Sequence, residues 1–154
     1  MKILIIIFSL LTNPFINELE INEIRKLYSL AYLSNERCDM LGKALNQKNI
    51  DDSYLINGYK GCYYLIKCKF TKNPITKIEY FKRGKKLLDC AIRENNNSVE
   101  LRFLRYSIQT NLPKYLMYNK EIKKDITFVK LNLEKISDKF ERRYIESSIK
   151  NLDK

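Results

Sequence analysis

NKEIKKDITFVKLNLEKI, residues 119–136, is the stretch that decides the fold class. Ile122, Ile126, Val129, Leu133 and Ile136 recur at steps of four, three, four and three. That spacing lays one apolar stripe along an α-helix. A strand would need alternation at every second residue, and no segment sustains it long enough to suggest a sheet. Asn119 stands at a plausible N-cap, and Ser137 or Asp138 restarts a last helix carrying Phe140, Tyr144, Ile145 and Ile149.

The same rhythm runs backwards along the chain. Asn97 can cap a helix with Glu100 as the reciprocal partner of a capping box. Val99, Leu101, Leu104 and Ile108 carry that helix to about Gln109, and Pro113 breaks it. Before it, Asn73-Pro74 sets a side-chain acceptor at a cap and a proline at the first helical position, where a missing N–H costs nothing. The helix that follows shows Ile78, Phe81, Gly84, Leu88 and Ala91 on one stripe and ends at Asn95-Asn96-Asn97. Asp51 or Asp52 opens an aromatic helix running through Tyr54 to about Phe70. Asn35 caps a shorter one with Cys38, Leu41 and Leu45. Ile21, Ile24, Leu27, Tyr28 and Ala31 mark the first. Four glycines and three prolines in 154 residues leave few breakers. The expectation is an all-α domain of about six to seven helices, packed as antiparallel hairpins in a bundle or short solenoid.

Gly84, Leu88, Ala91 and Asn96 stand at spacings of four, three and five, and the preceding helix offers Gly58 and Gly61 for close packing. On these residues Phe81–Asn96 resembles the second helix of a tetratricopeptide repeat, with 74–111 the most repeat-like part. It departs from the pattern at Asn96, where proline is usual, and in a longer inter-helix loop around Thr71 to Pro74. Past residue 20, the stretches GYKG (58–61), YFKRGKKLLDCAI (80–92) and ELRFLRYSIQTNLPKYLMY (100–118) resemble a group of small, uncharacterised exported proteins of Bacteroidota. That resemblance implies export and a helical fold and implies no chemistry.

The chain opens MKILIIIFSLL. Lys2 followed by an apolar run of nine residues, Ile3 to Leu11, fits a signal-peptide core and is too short to span a bilayer. No small-x-small cleavage pattern follows, and the competing reading is an apolar strand or helix tucked into the core. Export is favoured, which divides the chain into a leader, 1–15, and one helical domain, 16–154. No segment reads as transmembrane. Cys38, Cys62, Cys68 and Cys90 show no CxxC. Buried thiols are the plainer reading, and one or two disulfides are the alternative in an exported chain.

The net charge is +11. It points to an anionic partner or to composition alone, and the spread of Lys without a dense basic run favours composition. The chain has no His, which removes His triads, Cys-His dyads, His-type metal sites and the usual general base. No phosphate loop, carboxylate pair or metal-ligand spacing stands in their place, so neither catalysis nor a cofactor is expected.

Arg102, Arg105 and Gln109 share one helix face. The two arginines could fork around a carboxylate or phosphate, with Lys82, Lys85 and Lys86 of the preceding helix adding charge. The plainer reading has the same arginines covering the core edge and pairing with Glu79, Glu100 or Asp125. Tyr54, Tyr59, Tyr63, Tyr64 and Tyr80, with Lys60 and Lys67 among them, could stack single-stranded nucleic acid, or could be core-edge rings. The favoured function is a non-catalytic module binding a protein or peptide between helices. The alternative is a binder of nucleic acid or another polyanion.

Overall fold

The computed structural model describes residues 14–47 and 53–152. The apolar run Ile3 to Leu11 and the two aspartates Asp51 and Asp52 lie outside the described residues. Among the described residues seven α-helices follow one another: α1 Pro14–Ala31, α2 Asn35–Gln47, α3 Tyr54–Phe70, α4 Pro74–Glu94, α5 Val99–Asn111, α6 Ile122–Asn132 and α7 Lys139–Leu152. No strand occurs among the described residues.

The Asn73-Pro74 start holds. The Asn73 side chain accepts from the Ile75 and Thr76 N–H groups at 2.9 and 3.2 Å, and Pro74 opens α4. Elsewhere the capping residue moves by one or two places. Ser34, not Asn35, accepts from Arg37 at the head of α2. Ser53 caps α3 through Ile56. Ser98, not Asn97, caps α5 through Leu101, and Glu100 leaves the box for the core. In each case a serine stands beside a plausible Asn or Asp, and its short hydroxyl reaches the N–H three residues on. Asp138 accepts from Phe140 before α7. Asn119 caps nothing: α6 begins after Glu121, which makes no side-chain cap. The apolar repeat through Ile136 also outlasts its α-helix. The backbone tightens to a 3-10 turn over Leu133–Lys135 after α6 ends.

α3 and α4 are the tightest pair and run antiparallel: Gly58 faces Ala91, Gly61 faces Leu88 and Leu65 faces Gly84. A Cβ on Gly61 would sit 2.7 Å from the Leu88 backbone nitrogen, and one on Gly84 would sit 2.7 Å from the Gly61 carbonyl oxygen. Backbone meets backbone there, so no methyl fits without parting the helices. α3 and α5 are the central helices. α3 touches α1, α2, α4 and α5; α5 touches α3, α4, α6 and α7. Tyr59, Leu65, Ile66, Leu101, Phe103, Leu104 and Ile108 fill the core between and around them.

α7 returns to pack on α1 as well as α5. In a solenoid each unit touches only its neighbours in the chain, so this contact closes the helices into a bundle. No described helix is long and apolar enough to cross a membrane. The four cysteines are free thiols, three of them buried. Burial pushes the Cys38 and Cys68 thiols up to about 11 and Cys62 higher still, which keeps them protonated at neutral pH.

Candidate functional site

Of the residues singled out on α5, Arg105 and Gln109 are buried and Arg102 is half-buried. Arg105 is 8% exposed and Gln109 2%, where the sequence placed them beside the apolar stripe. The reason is that α5 is enclosed on several sides, so a flank that would face water on a surface helix here meets α6. Asp125 of α6, fully buried, receives both arginines. Arg105 donates through Nε and Nη2 at 2.6 and 2.9 Å, and Arg102 donates through Nη1 at 3.0 Å. Arg102 also donates to the Asn96 carbonyl from Nε and Nη2. Burial opposes the Arg105 charge, and the Asp125 carboxylate outweighs it, holding the guanidinium above its ordinary range. The fork therefore clasps an internal carboxylate.

A second ion cluster hangs from the other flank of α5. Glu100 accepts from Arg25 of α1 at 2.8 and 2.7 Å in a two-pronged pair, and from the Tyr59 hydroxyl of α3 at 2.6 Å. Arg25 reaches Asn22 at 2.7 Å, and Asp138 and Glu141 before and within α7 at 3.4 Å each. Arg25 and Glu100 are both 3% exposed at the side chain. Sequence reasoning missed this pairing, because its partners lie 75 residues apart.

Two of the concavities at the surface bear on these residues. The first, about 540 Å³, lies between α4, α5, the 117–121 loop and the start of α6. Arg102, Arg105, Gln109 and Lys85 line it together, as grouped from the sequence. Lys82 and Lys86 are exposed on α4 but off this cleft, and Tyr63 lies elsewhere, with its ring over Gly42 and against Tyr64. Within the cleft Asp89 ties the rim together. It accepts from Tyr118 at 2.8 Å and meets Lys85 at 3.4 Å and Arg105 at 3.5 Å. Burial and the neighbouring Asp89 carboxylate both push the Tyr118 hydroxyl up, so it stays a donor.

The second concavity, about 460 Å³, is apolar. Leu65 and Cys68 of α3, Ile78 and Phe81 of α4, and Leu112, Pro113, Tyr115 and Leu116 after α5 form its walls. Ile78 was expected on the core stripe of α4 and is instead 54% exposed, and Ile75 is 69% exposed. The stripe on α4 is longer than the core it covers, which is the sequence signal for this groove. Tyr115, 81% exposed, stands on the opposite lip. Tyr32 lines the groove, and its hydroxyl is buried with no hydrogen-bond partner. Among the described residues the charged ones lining it are Lys69 and Lys77.

The tyrosines divide. Tyr59 is buried against Tyr28 and bonded to Glu100. Tyr64 packs between Tyr63 and Tyr80, with the Arg83 guanidinium 4.3 Å from its ring centre. Tyr54 is 42% exposed. Among the described residues no group of His, Cys, Asp or Glu could hold a metal ion. No protein-family model, no curated protein and no solved structure matches this chain.

Proposed function

We propose that this chain is a non-catalytic helical binding protein that docks an apolar segment of a partner protein in the groove between α3, α4 and residues 112–116. The observation that carries this reading is the groove itself. It has apolar walls, exposed Ile78 and Tyr115 on facing lips, and a buried Tyr32 hydroxyl that lacks a partner. Bulky apolar side chains entering it would leave water, and a backbone group of the same segment would meet the hydroxyl. Lys69 and Lys77 favour a segment with a carboxylate beside its apolar anchors. The repeat-like α3–α4 hairpin supports the same reading, since paired helices of that kind commonly present a binding face.

The chain is proposed to act after export, on the strength of Lys2 and the apolar run that follows it. A nucleic-acid role has weaker support. Tyr59 is enclosed and Arg83 already covers Tyr64, which leaves little of a stacking platform.

The test is selection from a displayed library of random peptides, run in parallel on the wild type and on Ile78→Glu/Tyr115→Glu. Both positions are exposed, so the variant keeps its fold. Wild type should enrich peptides with two bulky apolar residues near an Asp or Glu, and the variant should bind them at least about tenfold more weakly. Equal binding to both proteins, or no enrichment on either, removes the proposal.

A further inference from the structure

The cleft between α4, α5 and the start of α6 shares no lining residue with the apolar groove. Its charge is unbalanced. Six basic side chains line it against two carboxylates, Asp89 and Glu121. Asp125 accounts for Arg102 and Arg105, and Asp89 is shared by Lys85 and Tyr118. Lys120, Lys124 and Arg93 remain around the opening, Lys124 meeting only Glu121 at 3.6 Å.

α6 begins in this cleft with no side-chain cap. Its first N–H groups carry the positive end of the helix dipole, where an anion is stabilised. The sequence adds more positive charge there: Lys120, Lys123 and Lys124 surround the helix start, against Glu121 at the cap. Asp125, the acid of the first turn, is turned away into the two arginines. Cations crowd a helix end that repels them, and a bound anion would offset both.

A third, independent observation comes from Gln109. It lines the cleft and is 2% exposed, yet its carboxamide oxygen has no hydrogen-bond partner. A buried acceptor left unpaired costs on the order of 1–3 kcal/mol. A ligand that brings a hydroxyl would satisfy it.

We propose that this cleft binds a small hydroxylated phosphate ester. The phosphate sits at the α6 N-terminus among Lys120, Lys124 and Arg93, and a ligand hydroxyl donates to Gln109. The cleft volume, about 540 Å³, suits a small metabolite. Lysines act on phosphate as point charges, without the flat two-pronged geometry a carboxylate draws from arginine. Of the three arginines lining the cleft, Arg102 and Arg105 are already engaged with Asp125, which leaves Arg93 beside the two lysines.

The experiment is an amide-resolved NMR titration of the full chain at 0.15 M salt. The probes are glycerol 3-phosphate, inorganic phosphate, glycerol and a short single-stranded oligonucleotide. Glycerol 3-phosphate should give saturable shifts at the Ile122 to Lys124 amides and at the Gln109 side chain. Inorganic phosphate should bind the same place more weakly, and glycerol should not bind. Lys120→Glu/Lys124→Glu should weaken glycerol 3-phosphate about tenfold. Lys26→Glu/Lys43→Glu, an equal charge change at exposed positions on α1 and α2, should weaken it less than about twofold. Gln109→Leu should bind both phosphates equally.

Absence of saturable shifts overturns the site. So does equal weakening by the two charge variants, or no weakening by the first. Binding of the oligonucleotide alone replaces a small ligand by a nucleic acid. A Gln109→Leu variant that still prefers glycerol 3-phosphate removes the hydroxyl contact.

Discussion

Two ion clusters hang from α5, and they differ in how they end. On one flank Glu100 and Arg25 are sealed among α1, α3 and α7, and every prong of the guanidinium meets a protein oxygen. The sealed cluster sets one Arg against three carboxylates, Glu100, Asp138 and Glu141. On the other flank Asp125 holds Arg102 and Arg105 beneath a cleft that opens to water and gathers surplus cations. Sealing makes a pair expensive to break, because a lone charge would stay in a medium that cannot solvate it. Opening lowers that cost and leaves charge available to a ligand. The sealed flank serves the fold, and the open flank is the one able to exchange partners.

Matched truncations should separate the two. Glu100→Ala strands Arg25 and takes the acceptor from Tyr59. It should cost about 3–5 kcal/mol by urea unfolding, a large share of the stability of a small domain. Asp125→Ala should cost less, about 2 kcal/mol, because Arg105 still meets Asp89 and Glu121 at 3.5 Å and water can enter the cleft. Equal losses would erase the distinction between flanks.

The smallest effect is one of pH. Burial, with Glu100 and Asp138 nearby, raises the Glu141 carboxyl to about 7, against Arg25, which lowers it. A carboxyl raised in the folded state binds a proton that the unfolded chain has already released. Its contribution therefore falls as pH rises from about 4.5 to about 7 and is flat above. Glu141→Gln should flatten that fall and leave the variant about 1 kcal/mol more stable than wild type at pH 8, the gain reduced by the lost Arg25 contact and by partial exposure. Thermal unfolding across pH 4–9 reads it. An unchanged pH profile would show that the sealed cluster carries no surplus of negative charge.

Helices were legible wherever apolar residues recurred at helical spacing, because burial enforces that spacing regardless of neighbours. Their starts were legible only to within a residue or two. Asn97-Ser98 and Ser34-Asn35 each offer two good caps in a row, and local chemistry does not choose between them. Gly61 and Gly84 were readable as close-packing positions, since only a missing side chain lets two helix backbones touch. Spacing alone put Arg102, Arg105 and Gln109 on one face of α5, and they line one cleft with Lys85 of α4. The burial of Arg105 and Gln109 was not readable, because it depends on which helix covers α5. The Arg25–Glu100 pair left no local trace at all. The groove left one that went unused: Ile78 carries the apolar stripe of α4 past the core.

Arg25 also orders events during synthesis. Its first acidic partner, Glu100, is made 75 residues later, and Asp138 comes 113 residues after Arg25. Until α5 leaves the ribosome, seating α1 would bury an unanswered cation. The early hairpin of α1 and α2 must therefore wait in a loose, hydrated form. Final closure comes with the late helices, so the bundle locks as one unit and not stepwise from its beginning.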